Sequence, residues 1–316
     1  MSQREPIRFK EHTAEGLHTV LAPLGVDARL ARRLQAAVLQ KGGQVPAQMP
    51  EVSRRLLEAV RIPLLHRPGD EKYVVCVSSQ VGCAMGRVFC ATGRMGFKRN
   101  LATWEIVDQV MQVRGDSRHP VRGVVFMGMG EPFLNYDRVM RAAAILAEPC
   151  GLAIMARAIT MSTVGIVPMI RRFTAERRPY RLVVSLTSPD PEVRRRLLPV
   201  EASYPLAELL EAVREYHAAT GVRVTLAWTL LQGVNTRPED ARQIAELTAG
   251  LPIRLDLIDV NDATGEFLPP SDAERQGFRD ALSVELAMPI VRRYSGGRDI
   301  AGACGMLAGR VAEPEA

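Results

Sequence analysis

Three of the five cysteines in this 316-residue chain crowd into one stretch, CVSSQVGCAMGRVFCATGRMGF, at Cys76, Cys83 and Cys90. A cysteine cluster in a cysteine-poor chain points to metal or redox chemistry before it points to a disulfide scaffold. A C-x3-C-x2-C triad ending at Cys90 would place three thiolates around one iron–sulfur cluster. Its middle position is occupied by Arg87.

Other residues could do chemistry only in company. GMGEP (Gly128 to Pro132) is a glycine-rich turn in which backbone can approach a ligand and Glu131 can bind an amine or a ribose hydroxyl. Taken alone it is equally a plain strand-to-helix turn. Ser162, Thr163, Ser185, Thr187 and Asn261 are small hydrogen-bonding residues just past expected strands. Singly each reads as a cap or turn residue; together on one rim they would describe a polar ligand pocket. Cys304, in DIAGACGMLAG, and Cys150, in LAEPCGLA, read on their own as small buried hydrophobes. The five histidines show no metal-ligand spacing, and the carboxylates show no glycosidase-type pairing.

These residues need a scaffold. Residues up to about Arg61 read as helical: LHTVLAPLGV, RLARRLQAAVLQKG and EVSRRLLEAV carry apolar residues at three- and four-residue spacing. IPLLHRPGDEKY reads as a connection, because of Pro63, Pro68 and Gly69. From Tyr73 the pattern becomes β-branched runs (YVVCVS, VRGVVFMG, ARAITMS, RLVVSL, RVTLAWTLL, IRLDLID, PIVRRY) alternating with amphipathic stretches such as TWEIVDQVMQV, YDRVMRAAAILAE, PLAELLEAVREYHAAT and PEDARQIAELTAG. Strand–helix alternation of this length predicts a mostly parallel α/β sheet, open or barrel-like. SSQVGC, GMGEP, STVG, SLTS and DVNDATG then fall at the C-terminal ends of strands, where such folds gather functional residues.

Composition narrows the class. Apolar content of 47% and charged content of 24% suit a globular protein. No apolar run is long enough to span a membrane, the charged N-terminus lacks a signal-peptide core, and five cysteines suit a reducing cytoplasm. Net charge is +6, with paired arginines recurring along the chain. That suits contact with nucleic-acid phosphates as well as a merely solvated surface. Aromatic content of 5% argues against a stacking platform for extended single strands.

The stretch from Cys76 to Leu101, then MGMGEPFLN, STVGIVP, SLTSPDPEVRRRLLPV, LLQGVN and RRYSGGRDIAGACGMLAG, resembles in this order the RlmN/Cfr family of radical S-adenosylmethionine RNA methyltransferases. The similarity covers nearly the whole chain. It implies an α/β partial (βα) barrel of radical-SAM type over residues 63–310, a helical N-terminal accessory region over 1–62 and a tail over 311–316. It implies S-adenosylmethionine and a [4Fe-4S] cluster as cofactors, with Cys83 and Cys90 as cluster ligands. Gly130, Glu131, Ser162, Ser185, Leu186, Thr187 and Asn261 match the cosubstrate-binding positions. Cys304 matches the cysteine that becomes methylated, Cys76 the resolving cysteine that forms a transient disulfide with it, and Glu58, in EAVRIP, the proton acceptor of the C2 branch. The implied substrate is an adenine of ribosomal RNA, and of tRNA in some C2-branch members, methylated at C2, or at C8 in the Cfr branch; Glu58 favours C2. A reducing electron donor, a monomeric state and a cytoplasmic location complete the expectation.

Two positions depart from the family pattern. SLT replaces SLH, so Thr187 keeps a hydroxyl and loses an imidazole. Arg87 replaces the central cluster cysteine, and arginine offers no lone pair to iron. Three readings stay open: a methyltransferase whose cluster is completed by another ligand, a paralogue that binds RNA or S-adenosylmethionine without radical chemistry, and a non-radical reaction such as self-methylation at Cys304.

Overall fold

The computed structural model describes residues 9–40, 60–64, 72–115, 117–262, 264–293 and 303–307. Its strands are β1 (Val60–Leu64), β2 (Lys72–Cys76), β3 (Gln80–Gly82), β4 (Phe97–Asn100), β5 (Val121–Phe126), β6 (Ile159–Thr163), β7 (Arg181–Ser185), β8 (Val224–Leu230), β9 (Ile253–Asp259) and β10 (Ile290–Arg293). Its helices are α1 (Ala14–Leu21), α2 (Ala28–Gln40), α3 (Ala91–Arg94), α4 (Thr103–Gly115), α5 (Tyr136–Ala147), α6 (Val167–Ala175), α7 (Pro191–Leu197), α8 (Leu206–Thr220), α9 (Pro238–Leu247) and α10 (Asp272–Glu285).

The main sheet runs β1-β2-β5-β6-β7-β8-β9-β10. From β2 to β10 every pairing is parallel, and β1 adds antiparallel to β2. This is a curled seven-stranded parallel half-barrel with helices between its strands, the expected α/β partial barrel. Every β-branched run named from the sequence forms one of these strands. Residues 60–64 correct the sequence reading. They were expected to end the helical region and begin a connection, and instead they form β1. Pro63 is compatible with a strand there because β1 lies at the sheet edge, where a missing N–H costs no interior ladder bond. EVSRR and most of LLEAV, including Glu58, lie outside the described residues.

Strand alternation gives the sheet two different faces. One buries Val75, Val124, Phe126, Ile159, Met161, Leu182, Val184, Leu226, Trp228, Leu255 and Leu257 in the main core with the helices. Their neighbours face the other way. Cys76 and Val125 pack with Met129 and Leu307, while Val183, Ala227 and Ile258 form a second small cluster. Met127 packs against both. Register puts Ser162 beside Val183 and Ser185 beside Ala227, on this second face. It is therefore the face that carries the candidate residues.

At the N-terminal side, Thr13 caps α1 by accepting from the Gly16 N–H at 3.2 Å. Leu39 carries α2 into the main core, and Gln35 Nε2 donates to the His12 carbonyl at 2.8 Å. No helix among the described residues is long and apolar enough to cross a membrane.

Candidate functional site

A cavity of about 470 Å³, counting the space open to solvent, lies at the C-terminal ends of β5, β8 and β9. Arg87, Phe89, Cys90 and Thr92 line one side, and Met127, Gly128 and Thr229 line the sheet side. Ile258 to Asn261 and the segment Cys304, Gly305 and Leu307 close the rest.

The cysteine stretch is shaped by the β3–β4 hairpin and the short α3 behind it. Cys83 follows β3 and donates its N–H to the Gly96 carbonyl at 3.2 Å. Cys90 caps α3, and its N–H reaches the Arg87 carbonyl at 3.2 Å. Arg94, at the end of α3, makes a fork to Asp262 (2.9 and 3.3 Å) and reaches Glu266 at 3.1 Å. The cysteine loop is thereby tied to the loop after β9.

The segment 303–307 docks on the same loop. The Ala91 N–H donates to the Gly305 carbonyl at 2.9 Å, and the Thr92 hydroxyl donates to the Leu307 carbonyl. Asn261 Nδ2 donates to the Cys304 carbonyl at 3.3 Å. These bonds bring Cys304 to the site from the far end of the sequence. Cys304 is exposed because it opens onto the cavity. Its surroundings still push its thiol up: burial acts first, Arg87 opposes it and Cys90 adds to it.

Cys76 ends β2 and is buried. Burial, then the neighbouring Cys304, pushes its thiol up to about 12, against Arg293 and a backbone hydrogen bond at Met127. Leu307, three residues past Cys304, packs against Cys76. Both cysteines are free thiols. Because Cys76 is neutral until unusually high pH, its alkylation by iodoacetamide is expected to rise about tenfold per pH unit from pH 7 to 10. An ordinary thiol would level off near pH 9, and a plateau there, read by site-resolved mass spectrometry, would contradict the assignment. By the same linkage, the neutral thiol stabilises the fold below the ordinary thiol range. That contribution is lost as pH rises towards about 12.

Arg87 sits in this ring of thiols. Burial disfavours its charge, but Cys90, Cys83, Cys304 and Glu131 outweigh burial and hold the guanidinium above its ordinary range. Cys83 is pushed up by burial, against Met85 N–H and Arg87. Two thiolates and a guanidinium do not fit a cubane that needs three thiolates. Among the described residues no group of three His, Cys, Asp or Glu is arranged to hold a metal ion.

Of the seven expected cosubstrate residues, Asn261 alone lines the cavity. Gly130 has φ +99°, and a Cβ there would meet the Gln80 side chain at 2.6 Å, so its glycine is required by the turn itself. Glu131 is buried, and both its oxygens are taken: Oε1 accepts from Phe133 N–H at 3.0 Å and Oε2 from Val164 N–H at 2.9 Å. Burial pushes its carboxyl up, against those two bonds and one from Thr163. Glu131 thus ties the loop after β5 to the loop after β6. Ser162 and Ser185 face the same side of the sheet as the cavity. Leu186 is buried, and Thr187 is buried with a left-handed φ of +63°. Asn235 Nδ2 donates to the Thr187 carbonyl at 2.6 Å and helps hold that conformation. Cys150 lies apart, half-buried, with its thiol donating to Gln35 Oε1 at 3.1 Å.

Sequence reasoning did not single out Thr92, Met127, Thr229 and Asp259 as lining residues. Asp259 and Thr229 carry a signal, as polar residues in the last turns of strands. Asp259 is balanced by Arg275 Nε at 3.1 Å and Arg292 at 3.0 Å.

Known proteins agree with this architecture. The model of the radical SAM superfamily matches residues 77–247. A probable RNA methyltransferase of Myxococcus xanthus is 45% identical over 96% of this chain and 94% of its own length. A dual-specificity RNA methyltransferase RlmN of Syntrophobacter fumaroxidans is 45% identical over 79% of this chain and 72% of its own. A radical SAM methyltransferase from Sphaerobacter thermophilus superposes with a TM-score of 0.82 at 34% identity, covering 95% of this chain and 99% of that one. The half-barrel, the order of its rim motifs and these relatives together place the chain in the RlmN/Cfr family of radical S-adenosylmethionine RNA methyltransferases.

Proposed function

We propose that this chain acts on RNA, at carbon 2 of an adenine, with Cys304 as the thiol that carries the methyl group and Cys76 as the thiol that resolves it. The observation that carries this reading is that the docked segment 303–307 places Cys304 in the cavity lining and packs Leu307 against Cys76. A thiol that becomes covalently committed needs a second thiol to free it by exchange. No alternative use of that pair is evident in the site. Glu58 is the proton acceptor on this reading. Gly130, Glu131, Ser162, Ser185, Leu186, Thr187 and Asn261 form or brace the S-adenosylmethionine site. Ribosomal RNA is the substrate, with tRNA a further one as in some members, a reducing electron donor is needed, and the enzyme works as a cytoplasmic monomer.

The family uses S-adenosylmethionine and a [4Fe-4S] cluster, of which Cys83 and Cys90 would supply two ligands. Arg87 favours a second reading, in which the chain binds RNA, S-adenosylmethionine or both without radical chemistry. Anaerobic reconstitution with iron and sulfide separates the two. The first predicts about four irons per chain and cleavage of S-adenosylmethionine to 5′-deoxyadenosine. RNA binding with neither iron nor cleavage would leave the second standing.

A further inference from the structure

Among the described Phe, Tyr and Trp residues, Phe97 alone is exposed, at 45%. It opens β4 at the end of the hairpin that leads into the cysteine loop, paired with Gly82, the residue before Cys83. Lys98 follows it, exposed and with no hydrogen bond or ion pair among the described residues. A single exposed apolar side chain needs no explanation. What sets Phe97 apart is the rigid frame that holds it out. A Cβ on Gly82 would lie 1.9 Å from the Gly96 carbonyl oxygen, so the hairpin closes tightly there. Arg99 forks onto Glu105 of α4 with two bonds of 2.8 Å, and Gln80 Nε2 donates to Asn100 Oδ1 at 2.8 Å.

The other end of the cysteine loop meets α7. Val88 N–H donates to the Leu197 carbonyl at 3.4 Å, and a Cβ on Gly86 would lie 3.7 Å from Pro199 Cγ. Arg196, just before Leu197, is exposed and likewise without a partner among the described residues. Its neighbours Arg194 and Arg195 are spent on Glu201 and Glu192. The chain from Cys83 to Val88 can span at most about 18 Å, so the two flanks stand close together. Arg87 and Cys90 of the same loop line the cavity.

An exposed ring offers its face to any unpaired base, and cations beside it take phosphates. One stacking position is what a chain with 5% aromatic residues can supply. We propose that Phe97, Lys98 and Arg196 form an RNA-docking rim on the two flanks of the cysteine loop. Phe97 stacks on an unpaired base next to the adenine presented to Cys304, and the two cations hold the flanking phosphates. This rests on the reading that the chain acts on RNA.

Fluorescence anisotropy of the full-length protein with a short oligouridine carrying one adenine, repeated over a salt series, tests the rim. Phe97→Ala is expected to weaken binding about five- to a hundredfold at every salt concentration, and Phe97→Trp to bind at least as well as the wild type. Lys98→Gln and Arg196→Gln should each flatten the slope of log K against log salt by about 0.7. All three positions are exposed, so urea midpoints should match the wild type. Unchanged affinity and slope in these variants overturn the rim and leave the RNA reading standing. Phe97→Trp as weak as Phe97→Ala, or an equal loss with Phe97→Ala on a blunt RNA duplex that has no base free to stack, overturns the stacking role. A wild type that binds the probe at no salt concentration overturns both the rim and the reading beneath it.

Discussion

Arg194→Met is expected to lower the free energy of unfolding by about 3–5 kcal/mol, the cost of breaking a buried charge pair from one side. Arg194 is fully buried, and its Nε meets Glu201 Oε2 at 2.6 Å. The rest of the guanidinium is spent on backbone: Ser185 carbonyl at 3.1 Å, Leu186 carbonyl at 2.7 Å and Val164 carbonyl at 3.1 Å. Glu201 in turn accepts from Leu206 N–H at 2.9 Å through its other oxygen. One guanidinium therefore braces the loops after β6 and β7. Methionine would fill much of the volume but leave Glu201 charged and take a donor from each of three carbonyls, of which Leu186 keeps the Ser188 N–H at 2.8 Å. The double variant Arg194→Met/Glu201→Leu should recover part of the loss, since it removes the orphaned carboxylate. Urea unfolding of the three proteins measures the difference, and a loss below about 1 kcal/mol would show that the loops hold without this bracket.

Arg87→Cys is expected to have the largest effect on metal content. Anaerobically reconstituted wild type has two thiols on this loop, whereas the variant has three on the C-x3-C-x2-C spacing. The backbone at position 87 is pinned by Cys90 N–H and by the close approach of Gly93, so the new thiol would enter the space that the guanidinium now commands. Iron per chain should rise towards about four, with the broad visible absorption of an iron–sulfur cluster. The change also removes a positive charge from the immediate neighbourhood of Cys83, Cys90 and Cys304. Equal iron in the wild type and the variant would mean that Arg87 is no obstacle and that the wild type finds its third ligand elsewhere.

The strands were legible because each is a run of β-branched and apolar residues, the central ones RVTLAWTLL and IRLDLID buried over most of their length. The β3–β4 hairpin was not, because its strands are three and four residues long and β4 is the charged FKRN. β1 was hidden by Pro63, which reads as a breaker unless the strand is known to lie at an edge. The site was legible in a different way. No spacing rule brings Cys76 to Cys304; only the ordered series of motifs did. Glu131 was legible as a carboxylate at a rim, but not as one whose oxygens are consumed by Phe133 and Val164. That depends on two loops meeting, which local sequence does not encode. Arg87 was legible as an oddity, and the structure adds that it stands among Cys83, Cys90, Cys304 and Glu131, which hold its charge.

The docking of residues 303–307 has a consequence for how the chain is made. The bond between Thr92 and Leu307 joins residues 215 positions apart, and contacts of such separation form late, after nearer ones have reduced the loop to be closed. During synthesis every strand of the half-barrel emerges before Leu307 does. Leu307 is part of the small apolar group that covers Cys76, so Cys76 is more open to solvent and oxidants until residues 303–307 dock. Chains truncated before Ala303 should therefore be oxidised at Cys76 more readily than chains that carry residues 303–307, which act as the cover under which that thiol matures.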